Sequence, residues 1–159
     1  MTTGLEPIYD KNSKILILGS LPGVSSIKNN EYYYSPSNHF WKILKKIYKE
    51  DIIFNSYNDK LNFLKRHNIA VWDIIKCADR EGSLDSKIKN EVYNDLISLI
   101  KNSNIKKIFV NGQKAEKSLK KYMKDNKVII NYELLPSSSL VNTKYSLNEK
   151  IDIWRKKML

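Results

Sequence analysis

Four short stretches of the chain are dominated by apolar residues with no polar alternation: Lys14–Leu18, Ile69–Trp72, Lys107–Val110 and Val128–Leu134. Runs of this length and character fit strands buried on both faces, as in a parallel sheet. Between them apolar positions recur at helical spacing. Phe40, Trp41, Ile43, Leu44 and Ile47 share one face behind a capping Ser37. Leu61 and Leu64, then Val92, Leu96, Leu99 and Ile100, then Ala115, Leu119 and Met123 repeat the spacing, and Ser146 caps a last helix through Ile151 and Trp154. This alternation predicts an α/β fold, a three-layer α/β/α sandwich with a mostly parallel central sheet, in one domain over residues 1–159. In such sheets a ligand binds beyond the carboxyl ends of the strands. The loops that matter are therefore 19–38, 73–86, 111–113 and 135–142.

Composition narrows the class. The chain carries 28 Lys+Arg against 17 Asp+Glu, a formal net charge of +11, and its 42% hydrophobic share is that of a folded globule. A single cysteine, Cys77, excludes a disulfide framework, an iron–sulfur cluster and a cysteine-rich zinc site. His39 and His67 are too far apart in sequence to suggest a histidine metal site. No apolar run approaches the roughly 20 residues that cross a bilayer, and the N-terminus does not read as a signal peptide. The expectation is a soluble, intracellular, monomeric protein that uses no metal or other cofactor. The positive charge points to a polyanion, nucleic acid before a membrane surface. Its weight is modest: Arg66, Arg80 and Arg155 are the only arginines, and a chain rich in Lys, Asn, Ile and Tyr is what A·T-rich coding produces.

Each loop carries candidate chemistry beside a plainer alternative. Loop 19–38 opens Gly19-Ser20-Leu21-Pro22-Gly23. It lacks the Gly-Lys-Ser/Thr of a phosphate-binding P-loop and the spaced glycines of a dinucleotide fold. It suits close approach of backbone amides to a ligand, or simple termination of a strand. Tyr32, Tyr33, Tyr34, Phe40 and Trp41 offer flat rings for stacking a base, or anchors for the helix that follows. Loop 73–86 packs Asp73, Lys76, Cys77, Asp79, Arg80, Glu81, Ser83 and Asp85 around Gly82, more polarity than a linker needs, although Asp85 also suits a helix cap. Asn111-Gly112 is either an amide placed to pair with a base edge or a tight turn. Ser137, Ser138 and Ser139 suit phosphate contacts, or an ordinary polar loop.

With these four loops in order, the sequence resembles the uracil-DNA glycosylase superfamily, and within it the hypoxanthine-DNA glycosylase branch. The resemblance rests on Pro7-Ile8-Tyr9 before the first strand, the turn Gly19–Gly23 with Ser25 after it, the tyrosine pair and Pro-x-Asn-x-Phe-Trp box within Tyr32–Trp41, Trp72-Asp73 with Cys77–Asp85, Asn111-Gly112, and Leu135–Ser139. It runs across nearly the whole chain. In two places the sequence departs from the family pattern: Tyr34 and Ser35 stand where a small residue and a histidine are usual, and Leu140 where proline is common.

The resemblance implies a DNA glycosylase that hydrolyses an N-glycosidic bond without lyase activity. Hypoxanthine is the first expected base, then uracil or xanthine, with a bulkier modified base or a non-catalytic DNA-binding role as alternatives. It implies that Asn38 orients the attacking water and polarises the base, while Asn111 grips the base edge. Gly19, Ser20, Pro22 and Gly23 would wall the base pocket together with Tyr34, and Phe40 would stack on the base. Ser25, Ser137, Ser138 and Ser139 would hold DNA phosphates, and Leu140 is either the wedge that fills the gap left by the base or an ordinary loop leucine. No lysine stands out as a Schiff-base nucleophile. The partner implied is DNA, with no membrane and no metal.

Overall fold

A computed structural model describes residues 1–159. The elements run β1 (Thr2–Thr3), β2 (Ile15–Gly19), α1 (Val24–Asn29), α2 (Phe40–Ile47), α3 (Tyr57–Arg66), β3 (Ile69–Asp73), β4 (Ile75–Asp79), β5 (Lys89–Tyr93), α4 (Leu96–Lys101), β6 (Lys107–Asn111), α5 (Gln113–Asn126), β7 (Glu133–Leu135) and α6 (Leu147–Met158). Strands β3-β2-β6-β7 form a four-stranded sheet that is parallel throughout. Leu16, Ile17 and Leu18 of β2 have no exposed surface and every residue of β3 is buried, so the sheet is covered on both faces. The α/β architecture with a parallel core sheet is the one the apolar runs predict.

Three local expectations are corrected. A second, antiparallel sheet β1-β4-β5 occupies part of the stretch read as loop 73–86. Its pairing is interrupted by register shifts between Ile75 and Asp79, which break the period of two that would have marked it. Val92, assigned by spacing to a helix, lies exposed on β5, and α4 starts at Leu96 under an Asp95 cap. The run Val128–Leu134 shrinks to a strand over Glu133–Leu135; Ile129 is 91% exposed and contributes nothing to the core.

Helix starts fix the site-bearing loops. Ser37 does not cap α2: the helix begins at Phe40 with His39 at the N-cap position, and the Ser37 hydroxyl pairs with Ser35. Asn38 Oδ1 instead accepts the Phe40 backbone N–H at 3.0 Å. Ser146 and Glu149 form a reciprocal capping box on α6, as the sequence predicts. Helix α6 packs on α2 and reaches β7, and its Trp154 Nε1 donates to the Pro136 carbonyl at 2.9 Å, anchoring the serine-rich loop.

Candidate active site

Strands β2, β3, β6 and β7 end together at Gly19, Asp73, Asn111 and Leu135, and the segments beyond them line one cleft of about 780 Å³. The volume lies within the range usual for small-molecule sites. Gly19, Ser20, Pro22, Gly23, Ser25, Asn38, Asn111, Ser137, Ser138, Ser139 and Leu140 all line it. Phe40 and Tyr34 do not. Phe40 is fully buried in the stripe of α2, and the ring of Tyr33 lies between it and the cleft. Tyr34 is exposed outside the cleft, its backbone N–H held by Ser26 Oγ at 3.1 Å. Tyr33, which the sequence singled out only as one of a pair, lines the cleft in their place, together with Tyr32 and Tyr145. It sits at φ +52°, a left-handed conformation that turns its side chain inward from the loop.

The first wall is stitched to the segment 80–86. Ser20 Oγ donates to Asp85 Oδ1 at 2.7 Å, Ser83 Oγ accepts the Val24 N–H at 2.9 Å, and Arg80 donates to the carbonyls of Leu21 and Pro22. These bonds explain why that segment is so polar: its side chains hold the Gly19–Gly23 turn in place. Gly19 itself is required by contact, since a Cβ there would overlap Asp73 Oδ1 and lie 3.1 Å from Tyr33 Oη. Gly112 has φ +97°, and a Cβ on it would come within 3.0 Å of Ser137 Cβ. Glycine at 112 thus lets the serine-rich loop close over the start of α5.

Asn111 is held at both ends of its amide. Its Nδ2 donates to Tyr33 Oη at 3.1 Å and to Ser138 Oγ at 3.0 Å, and its Oδ1 accepts the Ser138 N–H at 3.0 Å. Ser138, only 1% exposed, also gives its carbonyl to the His39 N–H at 2.9 Å. Its side chain therefore faces Asn111, not solvent, and the expectation that Ser138 meets a DNA phosphate is corrected. Ser137 and Ser139 remain partly exposed, and Lys150, 2% exposed, donates from Nζ to the Ser139 carbonyl at 3.0 Å. Desolvation holds the Lys150 ammonium below its ordinary pKa. Leu140 and Val141 stand exposed on the rim, Leu140 by 50%. Asn38 is half-buried; its Oδ1 is fixed by the Phe40 N–H, and Nδ2 has no protein acceptor.

Sequence reasoning missed two kinds of lining residue. Lys114, Lys144 and Lys157 stand around the cleft, where the sequence had distinguished no lysine. Lys114 is paired with Glu91, Lys157 donates to the Leu134 carbonyl, and Lys144 is exposed. Asp73, noted in a Trp-Asp pair and among the polar residues of loop 73–86 but given no role, is a buried carboxyl lining the cleft. No group of three or more His, Cys, Asp or Glu side chains is placed to hold a metal ion.

The cleft of this α/β fold is ringed by serine hydroxyls and lysines and lined by the amides of Asn38, Asn111, Gln113 and Asn142 and by Tyr32, Tyr33 and Tyr145, a set that suits a planar ligand carried on an anion. Comparison with known proteins agrees. The model of the uracil DNA glycosylase superfamily matches residues 6–156. A hypoxanthine DNA glycosylase of Methanosarcina acetivorans is 38% identical over 151 residues, 92% of each chain. One of Methanosarcina barkeri is 44% identical over 114 residues, 70% of this chain and 72% of its own. A solution NMR structure assigned as a candidate uracil DNA glycosylase of Methanosarcina acetivorans superposes with a TM-score of 0.77 at 34% identity, covering 99% of this chain and 98% of the other. The chain belongs to the uracil DNA glycosylase superfamily and is a DNA glycosylase, a hydrolase of N-glycosyl bonds.

Proposed function

We propose that this glycosylase releases hypoxanthine from DNA, as a monomer acting on intracellular DNA, and that Asn38 is its water-positioning residue. The observation that carries the assignment is the state of the two amides in one cleft. Both Nδ2 hydrogens of Asn111 are taken by Tyr33 and Ser138 and its carbonyl accepts the Ser138 N–H, whereas Asn38 keeps a fixed carbonyl and both Nδ2 hydrogens unbonded. Breaking the bond develops positive charge at the sugar and negative charge on the base. The Asn38 carbonyl oxygen has a second lone pair to orient a water at C1′, and its Nδ2 donates to the accumulating negative charge. A neutral amide is a weak base, so most of the barrier lowering comes from contacts to the departing base and from the anionic DNA backbone. Asn111 shapes the pocket by holding Tyr33 inward as the platform for the flipped base. Ser25, Ser137 and Ser139 contact the backbone, with Lys144 and Lys157 supplying charge.

The lysines bear on the reaction type. A Schiff-base nucleophile needs a desolvated amine, and the lining lysines are exposed or already paired, so the enzyme is monofunctional. Both relatives are named for hypoxanthine, which supports that base. The test is incubation with duplexes carrying one hypoxanthine, uracil or xanthine, followed by alkaline cleavage of abasic sites. Hypoxanthine released at the highest rate, with no strand break before alkali, supports the proposal. Faster release of another base overturns the substrate, and breakage before alkali overturns the monofunctional assignment.

A further inference from the structure

Asp73 takes no part in the chemistry assigned to Asn38. It closes β3 in register with Gly19 of β2, is 5% exposed, and lines the cleft. Its Oδ1 lies against the Gly19 Cα, where no side chain fits, and its Oδ2 is buried without a hydrogen-bond partner. An ionised carboxylate left unpaired in such a place is costly.

The groups around it do little to lower that cost. Tyr32 and Tyr33 face it from the loop after α1, and both phenols are pushed above their ordinary range by burial and by Asp73. Asp85 adds a second acidic charge from beyond β4. Arg80 is the one cation in play, and its guanidinium is directed to the carbonyls of Leu21 and Pro22. Burial first and Asp85 second outweigh Arg80 and push the carboxyl up to about 7.

The departing base takes with it the electron pair of the bond to C1′. A carboxylate facing it would repel that charge; a carboxylic acid neutralises it. Asp85 also lines the cleft and burial raises its carboxyl, but it accepts the Ser20 hydroxyl and has Arg80 and Lys114 to favour its charged form; no other lining group carries a proton transferable near neutrality. Asn38 and Asn111 are amides, the Tyr33 phenol is shifted to high pH, and the lysines lie on the rim. His39 does not line the cleft, its buried Nδ1 has no partner, and desolvation with Lys42 and Lys150 holds its imidazole below the ordinary value.

We propose that Asp73 is the general acid of this glycosylase, giving its carboxyl proton to a ring nitrogen of the departing base. As the C1′–N bond breaks, its electron pair stays on the base and the Asp73 proton is transferred there. The water held by Asn38 bonds through oxygen to C1′ and loses one proton, which passes through solvent and restores the Asp73 acid. The products are the neutral free base and an abasic sugar, with no further reactant. The inference rests on the glycosylase reading of the cleft and adds to it a second catalytic residue and a pH window.

The test is single-turnover base release between pH 5.5 and 8.5 by the wild type and by Asp73→Asn, on hypoxanthine and uracil duplexes in parallel, with binding to an abasic duplex measured for both proteins. For the wild type the rate should fall about tenfold per pH unit above neutrality, since only the protonated carboxyl acts. Asp73→Asn should be at least about 100-fold slower at pH 6, lack that descending limb, and still bind the abasic duplex with wild-type affinity. A variant that keeps the wild-type rate, or keeps the limb, overturns the proposal. So does loss of abasic-duplex binding together with rate, which would make Asp73 a structural residue. Wild-type release of uracil but not hypoxanthine would overturn the substrate reading alone, and the uracil arm then decides Asp73.

Discussion

The ring of Tyr33 lies flat on Phe40, with centroids 3.8 Å apart and planes within 13°, and its hydroxyl accepts from Asn111 Nδ2. One contact thus joins the hydrophobic core to the polar floor of the cleft, and it divides the labour of two aromatic residues. Phe40 is a core residue whose loss is read in stability; Tyr33 is a site residue whose loss is read in turnover. Phe40→Leu is expected to cost on the order of 1–2 kcal/mol, through lost packing against Tyr33, Trp41 and Trp154. Tyr33→Leu should reduce base release by tenfold or more with a smaller change in stability. Denaturant unfolding and single-turnover rates on the same two variants check the division.

Gly19→Ala should damage catalysis more than folding. The added methyl meets the Asp73 carboxyl, which must move because the β2–β3 ladder fixes both backbones. A displaced Asp73 also disturbs the Tyr33 hydroxyl, 3.1 Å from the same point. The expected outcome is a rate loss of at least about tenfold, in line with the cost of small misplacements at a reacting centre. Base-release kinetics beside a melting curve are the measurement.

Stability should respond to pH through the same carboxyl. In the folded protein Asp73 titrates at about 7, above the roughly 3.9 of an unfolded chain. Between these values the folded state holds a proton that the unfolded state has lost, so wild-type stability falls as pH rises through that window. Above it the whole penalty is present, at most roughly 4 kcal/mol. Asp73→Asn removes the ionisation, so its melting temperature relative to wild type should rise from pH 5 to pH 8. Paired calorimetric scans at the two pH values check the sign.

Binding to duplex should be strongly salt-dependent, because a chain of net charge +11 meets a polyanion. Each phosphate neutralised contributes a slope of about −0.9 in log K against log salt. Lys144→Gln, which removes an exposed charge on the cleft rim, should flatten the slope by about that amount and weaken all sequences alike. A salt titration of binding for the two proteins measures it.

Much of this architecture was legible because the parallel strands are continuous apolar runs and their carboxyl ends mark where a ligand sits. The antiparallel pair β4-β5 was not, since its bulges interrupt the alternation that announces a half-buried strand. Val128–Ile130 misled in the opposite way: three apolar residues in a row look like a strand, yet Ile129 faces solvent. Within the site, Asn38, Asn111 and the serine loop were located by position after strands, but their partners were not. The helical stripe shared by Phe40, Ile43, Leu44 and Ile47 already placed Phe40 in the core, and weighing that periodicity above the appeal of a flat ring would have moved attention to Tyr33. Asp73 was marked only by its place at the carboxyl end of a buried strand. Its isolation depends on what Arg80 bonds to, and that is a property of the folded loop.

The role of Asn38 is the centre of the account. Single-turnover release of hypoxanthine from duplex DNA by Asn38→Ala, beside the wild type and with abasic-duplex binding measured on both, tests it most directly. The rate should fall about 100- to 1,000-fold, the usual cost of removing one preorganised polar group, with binding retained. An Asn38→Ala enzyme that releases hypoxanthine at the wild-type rate would contradict it.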